Sequence, residues 1–403
     1  MVIRALTFAA AVLAFGIPSH RAPERRWVFV HSQLAASGGV ERVVEIMERA
    51  ARLGCNGIVL TDDTFSAARE PSEAEVKRAD TLLEAGRRLG IEIIPTVCGP
   101  RAVLRHDVNL VEAMPVRNAL FTVNNGLAVH EPDPMRPLAN GGFDRARSPI
   151  PDGWEVQPGS AHVGVDSEVK HGGRRSLKIT FDKKTVHTAG TSANIVQEAT
   201  VAPYRQYALT VWTRPGGFRP AANFQAWIMT VPDKPSGKSV PLAYTQWRQG
   251  AASAWQVQHA AFNSLDNRRV RIRLQAWAAQ GTLWVDTVSL QEVGLLNLVR
   301  RQGCPFVVRG ENGTTYEEGR DYVPVADRRL GRSGAAGAYT AYHEPPDGIR
   351  LTRETRIGPS ERLRVSYYHC PVVFSGRVAV CMTEPKVYEL IRHEIQRVNR
   401  LLR

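Results

Sequence analysis

The sequence contains few cysteines, and they do not form a recognisable framework. The five are Cys55, Cys98, Cys304, Cys370 and Cys381, and no CxxC pair occurs among them. This usage excludes a scaffold built on disulfides and also a zinc ribbon. A single bridge, for which Cys370 and Cys381 are candidates, and buried free thiols are both compatible with this spacing.

Lysine is scarce as well, although the chain is basic. Eight lysines and 44 arginines make up the 52 basic residues, and the net charge is +13. The arginines are scattered through every segment, usually near Asp or Glu, with no run of five basic residues. Nucleic-acid-binding chains concentrate their charge in patches or runs. We therefore expect a dispersed Arg-rich surface and no nucleic-acid partner.

The chain also has no apolar run of membrane-spanning length. The longest follows Arg4 and covers residues 5–17, which is too short for a helix across a bilayer. A basic start followed by a short apolar run is typical of an export signal. We predict a signal peptide over residues 1–22, and hence a secreted or extracytoplasmic protein with no stable membrane span once the signal is removed. A buried first helix or a membrane anchor is the alternative.

Several catalytic and nucleotide-binding motifs are missing. The sequence has no GxGxxG after a strand, no Walker motif and no GxSxG. These absences argue against a dinucleotide-binding fold, a P-loop and a nucleophile elbow. We expect no organic cofactor.

The segment before residue 100 alternates strand and helix patterns. Strands are predicted at Trp27–His31, 57–60 and 91–97, and amphipathic helices at 39–53 and 72–89. Such alternation indicates parallel strands with right-handed crossovers, which begin either an open doubly wound sheet or a βα-barrel. Because no nucleotide motif follows any strand, the barrel is favoured.

Polar residues stand where two of these strands end. In a βα-barrel the carboxyl ends of the strands line the substrate cleft. His31, Asp62 and Asp63 are therefore candidate cleft residues, although residues at such positions also commonly cap loops.

The middle of the chain has a different pattern of apolar and polar residues. Six segments alternate apolar and polar residues with turn residues between them: 176–181, 206–214, 223–231, 255–262, 270–278 and 281–293. Seven of the eight tryptophans also lie between residues 138 and 294. Short alternating strands at this spacing predict a β-sandwich, or jelly roll.

This middle segment resembles a known family. The phrases LANGGFDRARSPIPDGWEV, GRRSLKITF, YALTVWTR and LWVDTVSL occur in the order typical of carbohydrate-binding modules of the family 4/9 type. The resemblance implies a jelly roll with a polysaccharide or oligosaccharide as its partner. It covers about 150 residues of this chain.

Saccharide rings present apolar faces that stack on aromatic side chains, while polar side chains bind the hydroxyls. The candidates for the aromatic platform are Trp227, Tyr244 and Trp247. Arg273 and Gln275 are candidate polar partners, on the same strand face as Trp277. The other tryptophans in the motif strands are expected more often in the core: Trp154, Trp212 and Trp284.

The resemblance also implies a structural calcium ion that ties the first strand to the last. The matching acidic positions are Asp144 and Asp286, with backbone carbonyls completing the oxygen shell. Two ordinary turn carboxylates are the alternative.

The flanks resemble barrel glycosidases related loosely to family 20 hexosaminidases. The expected fold is multidomain, α/β plus all-β, with partial (βα)-barrel flanks and an inserted β-sandwich. The expected boundaries are 23–137 for the first part of the barrel, 138–294 for the sugar-binding jelly roll, 295–383 for a β-rich segment and 384–403 for a helix returning to the barrel. That helix is expected to bury one face: Val387, Leu390, Ile391, Ile395, Val398 and Leu402.

In the resembled glycosidases the general acid stands at the end of the fourth strand, which would follow this last helix. Glycoside hydrolysis needs such a carboxylate. We therefore expect the chain to stop before its catalytic acid, and the catalytic residues stay unassigned.

Three hypotheses follow. The first is a secreted, glycoside-hydrolase-like protein of polysaccharide metabolism that binds carbohydrate through its central module. The second is a non-catalytic glycan-binding or cell-surface attachment protein. The third is a structural sandwich without affinity for sugars.

Overall fold

The computed structural model describes residues 25–66, 70–97, 103–104, 106–133, 138–147, 149–159, 161–182, 192–232, 234, 237–245, 254–328, 330, 345–372 and 378–402. The predicted signal peptide, Cys98 and Trp247 lie outside them. The chain divides into two compact units, Met1–Gly99 with Ile391–Arg403, and Pro100–Leu390. None of the helices described is long and apolar enough to cross a bilayer.

The first unit contains a small parallel sheet. Its elements are β1 (Trp27–His31), α1 (Gly39–Arg52), β2 (Gly57–Thr61), α2 (Glu73–Leu89) and β3 (Glu92–Pro95). The strands pair in parallel in the order β1-β2-β3. The predicted alternation of strands and helices is confirmed. A closed barrel needs more strands than these three, so the barrel stays a prediction.

The start of α2 shows how the local sequence sets an element boundary. The Ser72 side chain accepts a hydrogen bond from the backbone N–H of Glu75, and the Glu75 carboxylate accepts one from the backbone N–H of Ser72 at 2.7 Å. This capping box satisfies two N–H groups that a helix start leaves without partners. Gly90 ends the helix with a φ of 65°, a conformation that favours glycine.

The last helix, α3 (Pro385–Leu401), buries Val387 and Val398 as predicted but differs from its predicted face at one position. Ile395 is 40% exposed, whereas Glu394 and Arg397 are buried. The Arg397 guanidinium donates to the Glu394 carboxylate at 3.1 Å and to the backbone carbonyl of Thr64 at 3.0 Å. Because a buried charge is tolerated when it is paired and hydrogen-bonded, this ion pair occupies the buried side in place of an apolar residue.

The second unit is antiparallel throughout its described sheets. Its strands are β4 (Met114–Asn124), β5 (Leu127–His130), β6 (Glu155–Gln157), β7 (His162–Asp166), β8 (Ser176–Phe181), β9 (Ser192–Thr200), β10 (Gln206–Arg219), β11 (Phe224–Thr230), β12 (Pro241–Tyr244), β13 (Gln256–Asn263), β14 (Arg269–Trp277), β15 (Gln280–Glu292), β16 (Val307–Gly310), β17 (Thr315–Tyr316), β18 (Ile349–Arg350) and β19 (Arg362–His369).

Ten of these strands form a sandwich of two five-stranded sheets. The front sheet has the order β12-β11-β14-β9-β6, and the back sheet has the order β13-β10-β15-β8-β7. All six strands predicted for the middle of the chain are present. Their inward residues form one continuous apolar core between the sheets. The predicted β-sandwich is confirmed.

The opening motif of the sandwich is explained by close packing against the last strand. A Cβ on Gly141 would lie 1.9 Å from the carbonyl oxygen of Val288, and the N–H of Val288 donates to the carbonyl of Gly141. Phe143 is fully buried, with its ring centroid 5.4 Å from that of Trp154. The indole N–H of Trp154 donates to the carbonyl of Asn140. The motif therefore joins the first segment of the sandwich to β15.

A third sheet was only partly foreseen. Its order is β17-β16-β19-β4-β5-β18, and it includes the antiparallel hairpin β4–β5, which lies within the segment 23–137 that was expected to belong to the barrel. The period in β4 is interrupted because Arg117 and Asn118 are both exposed, Asn118 at a φ of 54°. A register shift between Val365 and Tyr367 on β19 faces this point. Strands β16–β19 lie within residues 295–383, the segment predicted to be β-rich.

His369 lies at the junction between the third sheet and the sandwich. Its Nδ1 is 3.0 Å from the side-chain amide of Gln206 on β10, and its Nε2 is 3.0 Å from that of Asn263 on β13. The Gln206 amide also donates to the carbonyl of Leu296. Burial lowers the pKa of His369 to about 4, which outweighs the opposing hydrogen bond with the backbone of Cys370.

The described cysteines are free thiols: Cys55, Cys304, Cys370 and Cys381. The bridge considered between Cys370 and Cys381 is therefore wrong, and the alternative of free thiols is correct. Both side chains are buried. Burial raises the pKa of the Cys370 thiol, which favours its unreactive protonated form.

We predict that Gly141→Ala lowers the free energy of unfolding by about 2–3 kcal/mol, because the new methyl group overlaps the Val288 carbonyl. Gly142→Ala is the matched control. Its Cβ would approach no closer than 3.7 Å to the Asp144 side chain, so we expect a change within about 0.5 kcal/mol. Denaturant unfolding measures both, and equal losses would contradict this account of the motif.

We predict that acid weakens the His369 junction. A histidine whose pKa is lowered to about 4 on folding contributes stability that is complete above its unfolded pKa and is lost as the pH falls. Between about pH 7 and pH 4 the loss is about 3 kcal/mol. Unfolding of the wild type should therefore depend more steeply on pH than unfolding of His369→Gln, and equal slopes for the two proteins would contradict this account of the junction.

Candidate functional site

The predicted platform residues come together on one surface. Trp227 on β11, Tyr244 on β12, and Arg273, Gln275 and Trp277 on β14 all belong to the front sheet. On β14 the intervening residues are fully buried in the core: Val270, Ile272, Leu274 and Ala276. Successive side chains of a strand point to opposite faces. The predicted residues therefore project from the outer side of this sheet, which we call the front face.

The register of the strands places these residues side by side. One cross-strand row runs Tyr244, Trp227, Arg273, Val196 and Glu155. A second row runs Gln225, Gln275, Asn194 and Gln157. Neighbouring strands are about 4.8 Å apart, so a five-residue row spans about 19 Å. The front face thus carries an aromatic pair beside a strip of amide side chains.

The aromatic pair is in direct contact. The ring centroids of Trp227 and Tyr244 are 4.4 Å apart with an interplanar angle of 35°, and the guanidinium carbon of Arg273 lies 5.6 Å from the Trp227 centroid. The indole nitrogen of Trp227 and the Nε of Arg273 are shielded from solvent, and neither has a hydrogen-bond partner among the described residues. Two N–H donors on this face are therefore unsatisfied, which is costly for buried polar groups.

Trp277 lies farther along β14, in the row that pairs it with Ser192. It shares the front face with Arg273 and Gln275 but is separated from Trp227 by the row of Gln275. Trp247, the third predicted platform residue, is outside the described part of the chain.

The remaining described tryptophans of the sandwich divide between core and surface. Trp154 is 5% exposed and packs in the core, as expected. Trp212 and Trp284, also expected in the core, are instead half-buried on the outer side of the back sheet. Trp212 stacks on His171 with centroids 3.9 Å apart, and the indole N–H of Trp284 donates to Asp166 at 3.0 Å. Trp212 and Trp284 are therefore both in contact with other side chains of the back sheet and its loops.

Four front-face residues were not singled out from the sequence: Asn194, Gln225, Gln157 and Glu155. They lie on three different strands. Only the strand register shows that Gln225 and Asn194 flank Gln275, and that Gln157 and Glu155 continue the two rows on β6, two strands from β14. Period-two alternation assigns each of them to an outward position, but it carries no information about which strands are neighbours.

The two predicted calcium ligands surround one loop. Asp286 is fully buried, and its carboxylate accepts backbone N–H groups from His171, Gly172 and Thr287. Asp144 accepts those of Arg174 and Arg175. Burial raises the pKa of Asp286, and the three amide donors oppose this rise.

Calcium takes six to eight oxygen ligands. No group of three or more His, Cys, Asp or Glu side chains in the described ranges is arranged to hold a metal. The backbone amides account for the positions of both carboxylates without a cation. Structural calcium stays a prediction.

The predicted cleft residues lie at the ends of β1 and β2. Asp62 is buried, and its carboxylate accepts hydrogen bonds from the N–H groups of Leu34 at 2.7 Å and Thr64 at 2.9 Å and from the Ser32 hydroxyl at 3.1 Å. Asp62 thus ties the two loops together. His31 and Asp63 are exposed. Their part in a substrate cleft stays a prediction.

Two surface cavities lie away from the front face. One, of about 360 Å³, is lined by Leu83, Ile91, Ile93 and Leu402 in the first unit. The other, of about 390 Å³, is lined by Asn118, Arg309, Glu311 and Arg364 on the third sheet. Neither contains a residue that the sequence singled out for a site.

Comparisons with known proteins give structural similarities only. No protein-family model and no curated protein matches this chain. Among solved structures, a CBM4 carbohydrate-binding module is 19% identical over 39% of this chain and 99% of its own, with a TM-score of 0.28. A CBM61 module in complex with β-1,4-galactotriose is 16% identical over 39% and 97%, with a TM-score of 0.29.

A CBM22-1 xylan-binding domain from Paenibacillus barcinonensis is 14% identical over 40% of this chain and 96% of its own, with a TM-score of 0.28. TM-scores this low do not establish a common fold. The sandwich assignment therefore comes from the sheet topology of this chain.

We predict that Asp286→Ala destabilises the protein by about 2–4 kcal/mol, because three backbone N–H groups lose their acceptor. The loss should be the same in calcium and in EDTA if the amides are the reason. Thermal unfolding of wild type and variant in both solutions measures it. A loss seen only in calcium would instead assign these carboxylates to a metal ion.

Proposed function

We propose that this protein binds carbohydrate on the front face of its sandwich. The observation that carries the proposal is the row in which Tyr244, Trp227 and Arg273 lie side by side on three neighbouring strands. A saccharide ring stacks its C–H face on an aromatic ring and exchanges hydrogen bonds with the side chains around it. The front face supplies both kinds of group within one row and its neighbour.

The unsatisfied donors support the same conclusion. The N–H groups of Trp227 and Arg273 face no acceptor among the described residues, and a sugar hydroxyl or ring oxygen is an acceptor of suitable chemistry. The side-chain amides of Gln275 and Asn194 both donate and accept, as hydroxyl recognition requires. A ligand on this face would thus supply acceptors that the described residues do not provide.

We further propose that the protein is exported and takes part in polysaccharide metabolism. The parallel βα unit formed by β1–β3 with α1 and α2 is compatible with the first part of a glycosidase barrel. One observation favours a second candidate, a non-catalytic glycan-binding or attachment protein. The Asp62 carboxylate at the end of β2 is occupied by three hydrogen bonds that hold the loops.

We predict that Trp227→Ala weakens carbohydrate binding by about 2 kcal/mol, or roughly thirtyfold in Kd, because the stacking surface is lost. A glycan array identifies a ligand, and isothermal titration calorimetry then measures its Kd for each variant. Trp212→Ala is the matched control, since it removes an indole from the outer side of the back sheet.

Thermal unfolding shows whether each variant is folded. Equal affinities for folded Trp227→Ala and wild type would exclude the front face as the platform. A wild type that binds no glycan would leave a structural sandwich, the third hypothesis.

A further inference from the structure

The arginines on the front face differ in whether a described carboxylate forms an ion pair with them. Arg269, Arg271 and Arg273 occupy successive outward positions of β14, and Glu198 of β9 pairs in register with Arg271. The Glu198 carboxylate lies 3.1 Å from the guanidinium of Arg269 and 2.7 Å from that of Arg271. One carboxylate therefore serves two arginines. Arg273 has no carboxylate partner among the described residues.

Arg273 is also the arginine of this series that is most enclosed by the platform. It sits in register between Trp227 and Val196, its Nε is shielded from solvent without an acceptor, and Val196 is 5% exposed. Burial lowers the pKa of Arg273, and the charge of Arg271 lowers it further. Both effects mean that the folded protein holds this cation at a cost in free energy.

The carboxylate in the same row does not remove that cost. Glu155 lies beyond Val196, two strands from Arg273, a backbone separation of about 10 Å. It is exposed and forms no ion pair with Arg273 within the described ranges. A hydroxyl of a neutral sugar would satisfy the Nε–H but would leave the charge uncompensated.

We propose that the saccharide bound on the front face is anionic, and that its carboxylate or sulfate group binds Arg273 while a neighbouring ring stacks on Trp227. The inference rests on the proposed function and narrows its ligand. A guanidinium presents a planar pair of donors that matches the two oxygens of a carboxylate or sulfate. Arg273 then supplies selectivity for charge, and Trp227 supplies the stacking surface.

The test uses two pairs of polymers that differ in charge. Polygalacturonate and its carboxyl-reduced product share one backbone and linkage, and so do dextran sulfate and dextran. We expect the wild type to bind one anionic polymer at least about tenfold more tightly than its neutral partner, as expected for one added charge-assisted hydrogen-bonded pair. The preferred pair tells whether the anion is a carboxylate or a sulfate.

The matched variants are Arg273→Gln and Arg269→Gln. Both remove one positive charge from the same strand and face, but Arg269 is already paired with Glu198. Arg273→Gln should remove the preference for the anionic polymer, whereas Arg269→Gln should change the affinity by roughly twofold or less. Arg273→Lys, which keeps the charge but loses the planar donor pair, should retain part of the preference.

The outcomes separate the inference from the proposed function. Equal affinity of the wild type for both members of each pair overturns the anionic ligand, and Trp227→Ala still tests the platform. Equal losses in Arg273→Gln and Arg269→Gln also overturn it, since they would reflect general attraction by the face. A wild type that binds none of these polymers or array glycans overturns both. The wild-type preference needs no variant, so a misfolded variant does not affect it.

Discussion

The apolar core between the two sheets is the constraint on which the rest of the second unit depends. Each strand of the front and back sheets buries alternate residues in that core, as β14 does with Val270, Ile272, Leu274 and Ala276. Burial of one set commits the other set to the outer side of its sheet, because the side-chain period of a strand is two. The outward direction of the front-face side chains is thus a consequence of the packing of the core, to which those side chains do not contribute.

The same constraint explains how the front sheet tolerates polar groups whose hydrogen bonds are not satisfied. Trp227 and Arg273 carry shielded N–H groups that have no acceptor among the described residues, at a cost of about 1–3 kcal/mol for each such group. The sheet beneath them is held by backbone hydrogen bonds and by an apolar core, neither of which depends on those side chains. The proposed binding residues therefore stand on a scaffold that does not need them for its stability.

The third sheet is joined to the sandwich through a buried polar junction. A polar network at the junction consists of His369, Tyr367, Gln206 and Asn263. In it the Tyr367 hydroxyl donates a hydrogen bond to the Gln206 side chain at 3.3 Å. Polar groups in a buried network must satisfy one another, so they fix the geometry of the junction more strictly than apolar contacts do. The same burial lowers the pKa of His369.

The local elements follow from the amino-acid sequence alone. Period-two segments fixed the strands of the sandwich, Ser72 and Glu75 fixed the start of α2, and the glycines and aromatic residues of the opening motif indicated a close-packed first segment. These features depend on residues that are near one another in the chain or on the alternation within one strand. It also placed Trp227, Tyr244, Arg273 and Gln275 among the candidates.

Which of these residues are neighbours depends on the tertiary structure, through the order of the strands in each sheet. Strand order brings β9 beside β14 and β6 beside β9, which adds Asn194 and Gln157 to the front face. It also pairs Glu198 with two arginines, while no described carboxylate pairs with Arg273. The tertiary structure also places Trp212 and Trp284 at the surface. Glu394 pairs with Arg397 on the buried side of α3, and Cys370 and Cys381 are not bridged. Each outcome depends on contacts between distant parts of the chain, and neither composition nor periodicity carries that information.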